Sequence, residues 1–294
     1  MGIALARATV SPWESTGTAF ALPLQSEWPA PQHESLPLAQ QPHPQDLWQR
    51  IQRQGQIRVG VDPSVGEGYL YADPEKRTYA GFEWDILQAI AAELGVELQP
   101  IYIPWSQQLQ SLTQDEVDLI LGAREAHQLD LQGYLITQPY YLSPQRLVIS
   151  AEASDPPERL AQLFGRKVGI VVSSTGAALL ETYNQSRGNP IRLFATSRPE
   201  RLFDQLRSGQ LDAIVVDQPV ATAALSEPGP PLRLSGPPLF PQPLVGVVAP
   251  GQLTLLERLN QSMTSLKGNG TLKQILEEWQ LWDPTLNSPP LTKD

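Results

Sequence analysis

The sequence has no cysteine. That single absence excludes disulfides, thiolate catalysis and cysteine-ligated metals. Histidine is nearly as scarce. His33, His43 and His127 form no ligand-spaced set, and there is neither an HExxH helix nor an EF-hand loop. No metal and no cofactor are therefore expected. No run of about 18 apolar residues exists to span a bilayer. Basic residues are also in short supply: 21 Lys and Arg stand against 31 Asp and Glu, for a net charge of -10. Nothing resembles the clustered Lys/Arg footprint of nucleic-acid binding, so no nucleic-acid partner is expected.

The first 25 residues, MGIALARATVSPWESTGTAFALPLQ, are only mildly apolar and lack the continuous core of a signal peptide. Three readings stay open: a cytosolic protein, an exported one whose signal is removed or whose start is misassigned, or a soluble piece of a membrane protein. Residues 1–45 are rich in Pro, Gln and Ser, as in PAPQHESLPLAQQPHPQ, and read as a tail or linker. A surface-packed arm is the alternative, since Trp13, Phe20 and Trp28 need cover.

What is present is an alternation of strands and helices. Asp46 caps a short helix that Gly55 ends. IRVGVD is a strand. In GFEWDILQAIAAELG, Phe82, Ile86, Ile90 and Leu94 recur on one helical face and Gly95 is the C-cap. Strands at 96–103 and 117–121 follow, with a short helix at 106–112 between them. GRKVGIVV opens a second unit of the same kind, which continues through IRLFA and LDAIVVDQP. LVISAEAS leaves the first unit, and SGPPLFPQPLVGVVAP leaves the second and returns to a strand and two helices. The pattern predicts an α/β protein of two lobes, each a mostly parallel sheet flanked by helices, joined by two linking strands around a cleft. The expected parts are a tail at 1–45, lobe 1 at 46–148 and 239–283, lobe 2 at 149–238 and a flexible tail at 284–294. QSLTQDEVDLILG and DQLRSGQLDAIVVD echo one another: helix, polar turn, Asp, apolar strand. Ligands of open α/β sheets sit at the C-terminal ends of such strands.

IRVGVDP, GFEWDILQAIAAELGV, EVDLILGA, ITQPYY, GRKVGIVVSSTGAALL, SGQLDAIVVDQPVA and LKGNGTLKQILEEW occur in that order between residues 51 and 282. Together they resemble the bacterial family 3 extracellular solute-binding proteins, the type II periplasmic binding proteins that commonly serve amino-acid ABC transporters. The resemblance implies that Asp217 of VVDQP pairs a ligand ammonium; a helix cap is the alternative. Ser174 and Thr175 match the turn that receives a carboxylate at a helix N-terminus, or they simply cap it. Asp62 lines the pocket or orders its loop. Tyr69 walls the pocket or packs within the loop, and Glu67 offers a carboxylate to a basic ligand group. Trp105 is expected in the lobe-1 core, and Asp85 as a structural contact.

One family feature is missing. Amino-acid binders carry an arginine about seven residues after the glycine of this strand end, where it grips the ligand carboxylate. Here positions 129 and 130 are Leu and Asp. Arg124, two residues after Gly122, either substitutes from another angle or pairs on the surface with Glu116 or Glu125. The resemblance thus implies an extracytoplasmic, monomeric, non-enzymatic protein, located in the periplasm or tethered to the membrane. It would capture a small polar solute, an amino acid or related compound, for ABC transporter membrane subunits. The alternatives are a sensing module joined to a receptor transmembrane segment, a degenerate fold used as a protein-interaction scaffold, and a lyase or dehydratase.

Overall fold

A computed structural model describes residues 46–66, 68–75, 77–129 and 133–284. All of these lie in one contact unit spanning 44–294. Glu67 and Asp130 fall outside the described residues.

Helix α1 (Leu47–Gln54) starts at Asp46, whose carboxylate accepts from Trp48 N at 3.1 Å, and ends at Gly55 with φ 67°. Strand β1 (Gln56–Val61) follows, then a hairpin of β2 (Tyr71–Asp73) and β3 (Thr78–Ala80). Helix α2 (Phe82–Leu94) buries Phe82, Ile86, Leu87 and Ile90 and ends at left-handed Gly95. Strand β4 (Glu97–Tyr102), helix α3 (Gln108–Thr113), strand β5 (Leu119–Ile120) and strand β6 (Leu135–Ile136) complete the first pass through lobe 1. Strand β7 (Tyr141–Ser150) leads into lobe 2, which contains β8 (Lys167–Val171), α4 (Thr175–Gln185), β9 (Arg192–Thr196), α5 (Pro199–Arg207), β10 (Ala213–Asp217) and α6 (Gln218–Ser226). Strand β11 (Leu232–Leu244) returns to lobe 1, to β12 (Val247–Val248), α7 (Leu253–Gly268) and α8 (Thr271–Glu278).

There are two five-stranded sheets, ordered β4-β1-β5-β12-β6 and β11-β7-β10-β8-β9. β1 is parallel to β4 and β5, and β8 is parallel to β9 and β10, as the two echoing segments predict. β7 and β11 are the two linking strands and pair antiparallel from Leu232↔Ser150 to Leu244↔Tyr141. β11 contains Pro237, Pro238, Pro241 and Pro243, which its position at the sheet edge tolerates because a missing N–H there costs no ladder bond.

The lobe-2 sheet is buried on both faces, and the strand period divides it. Leu147, Ile149, Val168, Ile170, Ala213 and Val215 pack on one side; Val148, Ile214 and Val216 pack on the other. In lobe 1 α2 packs on β4, α7 and α8, and its Phe82, Ile86 and Ile90 share one apolar cluster with Ile57 and Val59 of β1 and Leu259 and Met263 of α7.

Candidate functional site

Lobe 1 contributes the loop after β1. Asp62 is buried, and both of its oxygens are engaged, with Ser64 N at 2.9 Å and Trp105 N at 2.7 Å. Burial raises its pKa, but these bonds outweigh burial and hold it below the ordinary carboxylate value. Asp62 thus fixes its own loop to the turn carrying Trp105. Further along, Gly68 meets lobe 2 backbone to backbone: a Cβ there would lie 2.7 Å from the Pro219 carbonyl carbon, so only glycine permits this approach. Tyr69 is buried against Phe82, ring centroids 5.9 Å apart. Burial pushes its hydroxyl well above 10, and the neighbouring Asp217 charge pushes it further.

The segment after β5 bends at Gly122 and Ala123, the latter with φ 50°, and Arg124 and Glu125 beyond it send their side chains to different partners. Arg124 is 4% exposed and turns into lobe 1. Its guanidinium carbon sits 3.5 Å over the Trp105 ring, and Nη2 donates to Trp105 O and, at 3.2 Å, to Gln108 Oε1. Nε has no partner. Burial lowers its pKa to about 10, opposed by the carboxylate of Glu83, so it stays charged at neutral pH. It is not the surface arginine of Glu116 or Glu125. Trp105, expected in the core, is 36% exposed, with its indole N–H donating to Gly122 O at 3.0 Å.

Glu125 turns the other way and reaches lobe 2. Its Oε2 accepts from Thr175 Oγ1 and from Gln128 Nε2 at 3.0 Å, and His127 Nδ1 lies 3.5 Å away. Thr175 opens α4, where Ser174 Oγ accepts from Ala177 N at 3.0 Å as the N-cap. Asp217 ends β10 and stands at the N-cap position of α6 without capping it. Gln145 Nε2 of β7 donates to its Oδ1. Burial raises the Asp217 pKa to about 6; Gln145 opposes the shift, Glu125 adds to it and Tyr69 opposes it. The structure therefore brings Tyr69, Thr175 and Asp217 together, with Ser174 beside them as a cap. Asp62 and Arg124 stand behind the lobe-1 wall.

A family model described as bacterial extracellular solute-binding proteins, family 3, matches residues 57–281. The chain belongs to this family. The family is one of extracellular solute-binding proteins. It is similar to a probable amino-acid-binding protein, YxeM, of Bacillus subtilis, 24% identical over 76% of this chain and 83% of the relative. It is also similar to a membrane-bound lytic murein transglycosylase F of Desulfosudis oleivorans, 28% identical over 80% of this chain. The chain spans half the length of that relative. Among solved structures it superposes on an ancestral cationic amino acid solute-binding protein with a TM-score of 0.70, at 22% identity, covering 79% of this chain and 99% of that one; this likeness concerns the fold.

Two residues of this family 3 chain escape the sequence reading. Glu83 is fully buried on α2, where Oε1 accepts from Ala123 N at 2.8 Å and from the Tyr140 hydroxyl, while Oε2 has no partner. Burial raises its pKa to about 7, against the bonds from Tyr140 and Ala123 and the charge of Arg124. The signal was available: Glu83 falls three, four and seven residues before Ile86, Leu87 and Ile90, a carboxyl on an apolar face. Glu125 is the other. It reads in sequence as a partner for Arg124, and no local pattern separates the two; its partner Thr175 lies 50 residues away. Among the described residues, no group of three or more His, Cys, Asp or Glu is placed to hold a metal, and no helix is long and apolar enough to cross a membrane.

Proposed function

We propose that this chain, as a monomer, closes its two lobes on a small polar solute and presents it to the membrane subunits of an ABC transporter. The placement of Asp217 carries the reading. It is a largely desolvated carboxylate at a strand end, it does not cap the helix it precedes, and it lies against Tyr69 of the other lobe. A carboxylate held in that way favours a solute ammonium or guanidinium as its partner, since a charge-assisted pair offsets the cost of burial. Tyr69, Ser174 and Thr175 complete the solute's surroundings. Asp62, and Arg124 through its stack on Trp105, shape the lobe-1 wall. The lobes are formed by residues 46–148 with 239–283 and by residues 149–238, and β7 and β11 act as the hinge on which a population shift to the closed form is built.

A second reading, a sensing or regulatory module of a larger membrane protein, is supported by the transglycosylase relative, of which this fold occupies half. A transmembrane segment in the same gene would favour it; an adjacent permease gene would favour transport.

The test is native mass spectrometry of freshly purified protein against its denatured mass. An adduct of small-molecule mass that is lost on denaturation is the expected result. Asp217→Ala should weaken a cationic or zwitterionic solute by about tenfold or more, the loss of one buried charge pair. A clean native mass, with no thermal shift across amino acids, organic acids and polyamines, overturns the reading.

A further inference from the structure

The seat at the start of α4 is already taken. Thr175 Oγ1 donates to Glu125 Oε2, so a carboxylate of the protein itself holds the hydroxyl that would otherwise meet a carboxylate of the solute. Glu125 is only 8% exposed and is carried there by a backbone fixed on both sides of the segment: Val245 N donates to Arg124 O at 2.9 Å, and Glu125 pairs with Leu244. Beside it stand a second carboxylate and a spare acceptor. Asp217 is held by Gln145 Nε2, and Gln145, 1% exposed, leaves its Oε1 without any hydrogen-bond partner. That oxygen is packed against the first turn of α4, where a Cβ on Gly176 would lie 2.2 Å from it. The side-chain donors at this junction are spent on its carboxylates: Thr175 Oγ1 and Gln128 Nε2 on Glu125, with His127 Nδ1 3.5 Å away, and Gln145 Nε2 and the Tyr69 hydroxyl on Asp217. Among the described residues no lysine or arginine pairs with Glu125 or Asp217; the near cationic side chain, Arg124, points into lobe 1. Leu129, about where the family's carboxylate-gripping arginine is expected, is 2% exposed core. The junction therefore carries two carboxylates and an unpaired acceptor, and the side-chain donors around it are already engaged.

From this juxtaposition of Glu125 at Thr175 with Asp217 at Gln145, we infer that the cleft selects a cationic amine or guanidine that has no carboxylate of its own. The inference rests on the solute-binding reading above and narrows it. A buried acceptor without a donor and two like charges side by side are each unfavourable, and an ammonium or guanidinium remedies both at once. An α-amino acid would have to evict Glu125 or place its carboxylate against it.

Matched pairs test this: arginine with agmatine, lysine with cadaverine, ornithine with putrescine, each titrated into the wild-type chain and into Glu125→Gln. The variant keeps the shape and an acceptor for Thr175 and removes the charge, and its melting temperature checks the fold. In wild type the decarboxylated member of a pair should bind about tenfold or more tightly than its amino acid, and Glu125→Gln should narrow that ratio by about tenfold. Tighter binding of the amino acid, or an unchanged ratio in Glu125→Gln, overturns the inference and leaves solute capture standing. No binding of any probe, together with a clean native mass, overturns both.

Discussion

Asp118 and Asp212 occupy the same place in the two sheets. Each precedes the strand that pairs parallel with its sheet's opening strand, β5 beside β1 and β10 beside β8. Asp118 N donates to Arg58 O at 2.9 Å while its Oδ2 accepts from Arg58 N at 2.9 Å. Asp212 N donates to Lys167 O at 2.9 Å while its Oδ2 accepts from Lys167 N at 2.7 Å. The difference lies in what surrounds the joint. Asp118 is 2% exposed and also holds the guanidinium groups of Arg50 and Arg58, which Asp115 shares. Asp212 is exposed and has no such company among the described ion pairs. The same backbone device thus anchors a charge network in lobe 1 and stands alone in lobe 2. The strand ends facing the cleft follow a parallel division. Lobe 1 engages Asp62 and Arg124 internally, whereas in lobe 2 Asp217 is held by Gln145 Nε2 and the Gln145 side-chain oxygen has no partner.

The largest expected effect breaks the joints one at a time. Asp118→Ala leaves the Arg58 N–H without its acceptor and two part-buried guanidinium groups with Asp115 alone, and should cost about 3 kcal/mol of unfolding free energy, the low end for a broken buried pair because both arginines keep Asp115 and some access to water. Asp212→Ala removes one exposed hydrogen bond and should cost about 1 kcal/mol. Urea denaturation of both variants checks the difference. Equal losses would mean that the arginines add nothing to the lobe-1 joint.

The next effect separates the two buried carboxyls from the ones held by hydrogen bonds. Glu83 has a folded pKa of about 7 against a reference of 4.5. For an acid raised on folding, the native state binds more protons than the unfolded chain between those values, so its contribution to stability falls as pH rises through that window. The limit of the effect is on the order of 3 kcal/mol. Asp217, raised to about 6, acts in the same direction; Asp62, held low, acts in the opposite sense and only in acid. Glu83→Gln keeps an acceptor for Ala123 N and the Tyr140 hydroxyl and removes the titration. Relative to wild type it should gain stability steadily from about pH 4.5 to about pH 7 and no further above that. A difference that does not change with pH would place the Glu83 carboxyl outside the titrating groups of the fold.

The same contrast explains how much could be read from the sequence. The two-lobe α/β fold was legible because its central elements carry apolar signals: the helical period of Phe82, Ile86 and Ile90 on α2, and the unbroken IVV run of β10. Caps at Asp46, Gly55 and Gly95 were legible because local geometry needs those residue types. The polar interior was not, because burial of a charge depends on partners distant in sequence. Glu83 meets Tyr140, Arg124 meets Trp105, and Glu125 meets Thr175 across the cleft. Trp105 was misplaced for the same reason: an aromatic reads as core until an arginine takes one of its faces and its N–H is tied to Gly122 O.

The smallest expected effect sharpens the comparison at the helix starts. Asp46 caps α1 in lobe 1 and Ser174 caps α4 in lobe 2, each with one side-chain oxygen on one backbone N–H. Loss of either cap should cost about 1 kcal/mol. Their consequences for binding should nonetheless differ. α1 begins on the far side of lobe 1, where Leu47, Trp48 and Ile51 join the core with α7, so Asp46→Ala should lower the unfolding midpoint alone. α4 begins at Thr175, the residue that holds Glu125. Fraying of its first turn in Ser174→Ala should loosen the contact across the cleft and weaken solute binding a few-fold while the midpoint falls by the same amount as in Asp46→Ala. Paired thermal and calorimetric titrations of the two variants read both quantities. If Ser174→Ala loses stability without any change in affinity, Ser174 is a cap and nothing more, and the coupling between the α4 start and the solute runs through Thr175 alone.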